Sequence, residues 1–255
     1  MKTRLEQIER KLDELLCGLG DRPRALIDAM RHAVGSGGKR VRPLVCLAAA
    51  EAVGGESEDA LYAACAVEFL HNYTLIHDDL PSMDNDRERR GAPAVWVKFG
   101  EANAILAGDA LQALAFCAAA RSPRNAAEIT AVLGEKGVGV VMGQIEDIRR
   151  SGGGCDDFIY LHKTADLFVA AAVCGGYAAG ATEPEISALS DFGESLGLAF
   201  QYEDDLLDGD GLCGAEETAR RAEEYTSKAL SALTRLSGDA SALEKIARSL
   251  LGRGR

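Results

Sequence analysis

Apolar residues recur every three or four positions through most of the chain, and that spacing predicts one helix after another. In the opening stretch MKTRLEQIERKLDELL, Leu5, Ile8, Leu12 and the pair Leu15/Leu16 keep the interval, and Gly18-Leu19-Gly20 ends it. A second helix is expected from about Pro23 to just before Gly35-Ser36-Gly37-Gly38, and a third from Pro43. A fourth should run from about Ser57, with Glu58 and Asp59 in its first turn, to about Leu80. Further helices are expected near 101–121, 124–133, 138–149, 156–180, 184–208, 215–236 and 240–252. Pro93, Pro123, Gly152-Gly153-Gly154 and Gly209-Asp210-Gly211 separate them. No run of alternating β-branched residues is longer than AVWVKF, 94–99, and no low-complexity linker interrupts the pattern. The expected architecture is one all-α domain over residues 1–255, a bundle of about ten or more helices.

Composition agrees with this pattern. Of 255 residues 47% are apolar and only 5% aromatic, and alanine is abundant, which favours packed helices over a sandwich or barrel. A formal charge of −12 argues against a nucleic-acid binder, which needs a basic face. Polyanionic substrates would also be repelled unless metal ions and local arginines reverse the field. Seven scattered cysteines, odd in number and never in CxxC spacing, read as reduced thiols of a cytoplasmic protein. The charged, amphipathic N-terminal stretch does not read as a signal peptide. The longest apolar run, LFVAAAVCGGYAAGA, is too short to span a membrane.

Two acidic clusters change the picture. The first lies in HDDLPSMDNDRERRG, 77–91, where Asp78, Asp79 and Asp84 are followed at once by Arg87, Arg89 and Arg90. On a straight helix Asp84 would sit roughly 240° around from Asp78, on the wrong side. Pro81 disfavours helix at the residue before it and can send the chain back. The second cluster is FQYEDDLLDGDG, 200–211, in which Asp204, Asp205 and Asp208 fall within an arc of roughly 100° on a helix. Three carboxylates on one face are costly without a cation, and all-oxygen ligation completed by water and phosphate suits Mg²⁺. Each cluster follows a run of apolar character, FLHNYTLIH or LGLAFQYE, which places the acids at the mouth of a core.

Basic groups complete the set. Lys39, Arg40 and Arg42 stand in GGKRVRP, Arg89 and Arg90 follow the first cluster, and Lys163 stands beside Thr164 in LHKTADLF. Acids that hold metal, with guanidinium and ammonium groups beside them, are the layered complement of a diphosphate.

Together these segments resemble the polyprenyl synthetase family of trans-prenyltransferases. GGKRVRP, EFLHNYTLIHDDLPSMDND, RRG, ILAGDALQ, MGQIEDI, HKTADLF and FQYEDDLLD occur in the family's order over about residues 30–210. The resemblance implies an all-α fold of the isoprenoid synthase type around a central cavity, and head-to-tail condensation of isopentenyl diphosphate with an allylic diphosphate such as dimethylallyl or geranyl diphosphate. It implies that Asp78, Asp79, Asp84 and Asp204 bind Mg²⁺, three ions in all, with Asp205 and Asp208 in support. It gives Arg89, Lys163 and Gln201 to the allylic diphosphate, and Lys39, Arg42, His71 and Arg90 to isopentenyl diphosphate. Thr164 and Gln201 oxygens would stabilise the developing carbocation, while Gln144 and Asp147 would line the site. Family members are commonly homodimers, and the helix near 101–121 is the candidate interface. Tyr73, five positions before Asp78 and so roughly 7 Å deeper along a helix, would act as a floor that limits growth to farnesyl diphosphate (C15). Geranylgeranyl diphosphate (C20) is the alternative product.

After Asp208 the chain departs from the family. GDGLCGAEETARRAEEYTSKALSAL is shorter than usual and lacks the lysine of that loop, for which Arg220, Arg221 and Lys228 are the candidate replacements. Ala92 and Ala94 stand where a lysine and a threonine are common. A non-catalytic partner subunit and a metal-dependent cyclase or diphosphate lyase remain open. The retained aspartates speak against the first, and the second cation set speaks against the others.

Overall fold

A computed structural model describes residues 2–149, 157–208 and 214–251. Its opening helices are α1 (Lys2–Cys17), α2 (Arg24–Gly35) and α3 (Val41–Ala52), then a 3₁₀ turn (Ser57–Ala60) and α4 (Leu61–Asp78). A two-residue antiparallel ladder, β1 (Glu88–Arg89) with β2 (Ala92–Pro93), precedes α5 (Val95–Phe99), α6 (Glu101–Ala119) and α7 (Ala126–Arg149). Next come α8 (Asp157–Ile159), a π turn (Tyr160–Ala165) and α9 (Asp166–Ala179). The chain closes with α10 (Glu183–Asp208), α11 (Ala215–Ala232) and α12 (Ser241–Leu251). The fold is all-α, as its apolar spacing predicts.

α3, α4 and α9 are apolar on most sides and buried along most of their length, so they form the interior. α9 packs against α3, α4, α7 and α10, and α4 packs against α6. Alanine and glycine let these backbones approach closely: a Cβ at Gly175 of α9 would lie 2.1 Å from the Cys46 carbonyl oxygen of α3. One cluster of buried side chains runs from Ile8 in α1 to Leu250 in α12. By length and composition α6 and the segment Asp157–Ala179 could each cross a bilayer, although the longest apolar run looks too short for this. The second is 72% buried over its most apolar window and serves as an interior helix of the bundle.

Two local expectations are corrected, and one short segment takes a form that its composition does not favour. AVWVKF, the longest alternating β-branched run, carries no strand: Val95–Phe99 is a short helix whose Val95 is buried and whose Trp96 and Phe99 pack on the core, so tertiary contact overrides β propensity. The expected helices at 124–133 and 138–149 are one helix, α7, that passes through Gly134 and Gly137. Each helical glycine costs about 1 kcal/mol of propensity; Gly134 and Gly137 face Phe116 and Leu70 at ordinary contact distance, whereas further along α7 a Cβ at Gly139 would lie 2.0 Å from Asp166 Oδ2 and one at Gly143 2.5 Å from the Lys163 nitrogen. The helix expected at 156–180 is interrupted by the π turn. The breakers Gly152-Gly153-Gly154 and Gly209-Asp210-Gly211, the remainder of the shortened loop, and Cys155 and Cys213 lie outside the described residues.

Candidate active site

α4 stops at Asp78 because Pro81 follows so closely. The Leu80 N–H turns back to the His77 carbonyl at 3.2 Å, and the Asp84 N–H reaches the Asp78 carbonyl at 2.9 Å. Asp84 thereby returns to the side of Asp78. Burial is the main reason that the Asp78 carboxyl is pushed up to about 6; Lys163 and Arg89 oppose the shift, while Asp84 and Asp79 add to it. Asp79, also buried, is raised chiefly by burial despite a bond from Arg89, whose Nε donates to its Oδ1 at 2.9 Å.

The RRG hairpin aims two arginines in different directions. Arg90 and Gly91 both have positive φ, +56° and +75°, which closes the tight turn between Arg89 and Ala92. Arg89 joins Asp79 and, at 3.1 Å, Asp86. Arg90 donates to the Gly37 carbonyl. Gly38, at φ +134°, leaves it room, since a Cβ there would lie 2.8 Å from the guanidinium.

Lys39, Arg42, His71 and Arg90 come together around one cleft of about 540 Å³, which Glu68 and Phe200 also line. Arg42 sits 4.8 Å over the Phe168 ring and donates from Nη1 to His71 Nε2 at 3.3 Å. An arginine can only donate, so that imidazole nitrogen carries no proton. Burial, then Arg42 and Arg90, hold His71 well below its ordinary pKa. Burial lowers Arg42 to about 10, so it remains charged at neutral pH. Its Nε is buried with no hydrogen-bond partner, and so is Gln144 Nε2. Arg40, part of the same basic run, has a different use. It is buried between Glu9, at 2.7 Å from Nε, and Glu68, at 2.7 Å from Nη1.

α10 and the π turn form the other wall. Thr164 Oγ1 donates to Gln201 Oε1 at 2.9 Å, and Gln201 Nε2 donates to Asp205 Oδ1 at 2.9 Å. Tyr160 donates its hydroxyl to Asp205 Oδ2 at 2.5 Å. Lys163 pairs with Asp147 of α7 and also lies in the field of Asp78. Asp204 is half-buried on the preceding position of α10. Asp208 ends that helix, and its side chain lies outside the described part of the structure. The proposed stand-ins for the loop lysine are already engaged. Arg220 pairs with Glu217 and Glu224, Arg221 with Glu217 and Asp157, and Lys228 with Glu224. Tyr73 is half-buried on the α6 side of α4, edge-on to His77 with ring centroids 5.0 Å apart.

Among the described residues no group of three or more His, Cys, Asp or Glu side chains is arranged to hold a metal ion unaided. The donor chemistry nevertheless suits Mg²⁺, whose shell is ordinarily completed by water and phosphate oxygens. An Asp78 carboxyl raised by its burial, with Asp79 and Asp84 adding repulsion, is the state that a hard cation relieves. Three useful residues were missed in the sequence: Glu68, Phe168 and Tyr160. Glu68 lies three positions before His71, hence on its side of α4, and that spacing was the available signal. Nothing local marks Phe168 or Tyr160, because their partners are distant in sequence.

A family model described as polyprenyl synthetase matches residues 23–235. Geranylgeranyl pyrophosphate synthase 12 of Arabidopsis thaliana is 46% identical over 203 residues, which is 73% of this chain and 56% of that protein. The geranylgeranyl pyrophosphate synthase of Capsicum annuum is 42% identical over 215 residues, 79% of this chain and 57% of that protein. The chain thus matches little more than half the length of these curated relatives. Among solved structures, an FPP/GFPP synthase from Zymomonas mobilis superposes with a TM-score of 0.89 at 33% identity, covering 98% of both chains. A geranylgeranyl pyrophosphate synthetase from Geoglobus acetivorans does so with a TM-score of 0.91 at 30% identity, covering 99% of both.

Proposed function

Since this chain belongs to the polyprenyl synthetase family, we propose that it is a short-chain prenyltransferase that condenses isopentenyl diphosphate with an allylic diphosphate. The observation that carries this reading is a second phosphate-ready cleft beside the acid clusters. Lys39, Arg42, His71 and Arg90 surround it, and Arg90 is continuous in sequence with Arg89, which serves Asp79. A cyclase or lyase needs only one diphosphate site, and a non-catalytic subunit needs neither.

In this reading isopentenyl diphosphate occupies the cation cleft. Arg42 and Arg90 grip its diphosphate, and neutral His71 can offer a hydrogen bond without adding charge. Arg89, Lys163 and Gln201 hold the allylic diphosphate, and Gln144 and Asp147 line its side of the site. Three Mg²⁺ ions held by Asp78, Asp79, Asp84 and Asp204, with Asp205 and Asp208 in support, would supply neutralisation of the departing pyrophosphate. The allylic C–O bond breaks, the double bond of isopentenyl diphosphate forms the new C–C bond, and the proton it then loses passes to pyrophosphate. Thr164 and Gln201 turn oxygen dipoles toward the carbocation.

The names of the sequence relatives support geranylgeranyl diphosphate (C20) as the main product. Farnesyl diphosphate (C15) is the second reading, favoured by the half-buried Tyr73. A homodimer is part of the proposal, because Val138, Val141, Met142 and Ile145 of α7 and Ile105 and Leu106 of α6 expose an apolar face. The free thiols of the described cysteines support a reducing, cytoplasmic setting.

The test is incubation with isopentenyl diphosphate, each allylic starter in turn and Mg²⁺, followed by sizing of the products. Linear C20 diphosphate is expected. Cyclic or merely hydrolysed product, with no isopentenyl carbon incorporated, overturns the reading.

A further inference from the structure

The π turn serves both acid walls with side chains three residues apart. Tyr160 bonds Asp205 of α10 at 2.5 Å, while Lys163 pairs with Asp147 of α7 and lies in the field of Asp78 at the end of α4. On an α-helix, residues three apart diverge by only about 60°. A turn closed by i→i+5 bonds rotates each residue through a smaller angle, so three steps fall further short of a full revolution and the side chains splay. The splay lets one turn address α10 on one side and α7 with α4 on the other.

Both oxygens of Asp205 are held by groups that lead back to this turn. Oδ2 accepts from Tyr160 directly, and Oδ1 accepts from Gln201, which itself accepts from Thr164. The turn is wedged in place from two sides. A Cβ at Gly143 of α7 would lie 2.5 Å from the Lys163 nitrogen, and one at Gly197 of α10 would lie 2.4 Å from the Ala165 Cα. Asp166, 1% exposed, clasps the end of the turn by accepting from Lys136 Nζ at 2.8 Å and bonding His162 Nδ1 at 2.7 Å.

We propose that Tyr160 is a positioning residue for the α10 carboxylates: through Asp205 it fixes that wall against the turn that carries Lys163 and Thr164. The inference rests on the prenyl-transfer reading above. Its chemical content is that Asp205 is pinned in one rotamer by two donors, so the metal-binding face of α10 is preorganised before any ligand arrives.

Tyr160→Phe tests this because it removes only the hydroxyl and keeps the ring against Tyr202, whose centroid is 5.1 Å away. Mn²⁺ binding in the presence of inorganic pyrophosphate, read by electron paramagnetic resonance, should weaken about tenfold. The Mg²⁺ concentration for half-maximal velocity should rise by a similar factor, with the KM for isopentenyl diphosphate unchanged. Asp166→Asn, which loosens the other end of the turn, should lower kcat and raise the KM for the allylic substrate while leaving that of isopentenyl diphosphate alone. Wild-type Mn²⁺ affinity in Tyr160→Phe overturns the proposal. So does a loss that appears only with a lowered Tm and equal increases in both KM values. If the wild-type protein fails to incorporate isopentenyl diphosphate, the functional reading falls, whereas the Mn²⁺ measurement still decides the role of Tyr160.

Discussion

Asp78 carries a proton more tightly in the folded chain than its type usually does, with a pKa of about 6 against 3.8. The sign follows from linkage. A carboxyl whose pKa is raised by folding costs stability wherever it is ionised in both states, and the cost fades as pH falls through 6 toward the unfolded value. A difference of about two units corresponds to roughly 1–3 kcal/mol. Asp78→Asn should therefore raise the Tm of the metal-free protein at pH 7 by a few degrees, lose that advantage near pH 4, and abolish condensation. Thermal melts from pH 4 to pH 8 beside an activity assay check all three. Tyr73 poses a different question. If it forms the floor of the chain tunnel, Tyr73→Ala lengthens the products by at least one isoprene unit, as chromatography of the dephosphorylated alcohols would reveal. Unchanged length removes Tyr73 from the account.

At the scale of elements, the contact between α10 and the π turn has no slack. Gly197→Ala would set a methyl 2.4 Å from the Ala165 Cα, a backbone atom that cannot swing aside. Overpacking of this kind costs about 1–3 kcal/mol, and the displaced turn should also lower kcat, as denaturant titration and steady-state kinetics would register. This contact also marks the limit of what the sequence discloses. Apolar spacing gave most helices closely, because amphipathic periodicity is a local property, and Pro81 announced the return of Asp84. The continuity of α7 through Gly134 and Gly137 was hidden, since glycine reads as a breaker and the packing of α7 against α6, α9 and the π turn is not a local property. The π turn was hidden likewise: YLHKTA has no local feature that excludes an ordinary helix, and its wide form answers to α7 and α10 together. Within the candidate site, acids and bases stood out by type and grouping, whereas the pairing of Arg40 with Glu9 and Glu68 depends on helices distant in sequence.

For the molecule as a whole, the exposed side of α7 raises the matter of assembly. Val138, Val141, Met142 and Ile145, with spacings of three, one and three, form an uncovered stripe. If a second copy covers it, Met142→Lys places an unpaired charge in that interface at a cost of several kcal/mol, and sedimentation should show the dimer giving way to monomer. A wild-type protein that sediments as monomer would leave the stripe without a subunit partner. The buried knot at Arg40 has its own long-range consequence. Glu68 is shared: it bonds Arg40, which holds Glu9 of α1, and its charge also acts on Arg42 and Arg90 across the cleft. An anion that draws Arg42 and Arg90 toward itself leaves more of Glu68 to Arg40, so the docking of the first helix and the filling of the cleft are energetically coupled. Such coupling is reciprocal: the factor by which a filled cleft strengthens the hold on α1 equals the factor by which a docked α1 strengthens the hold of the cleft on its anion.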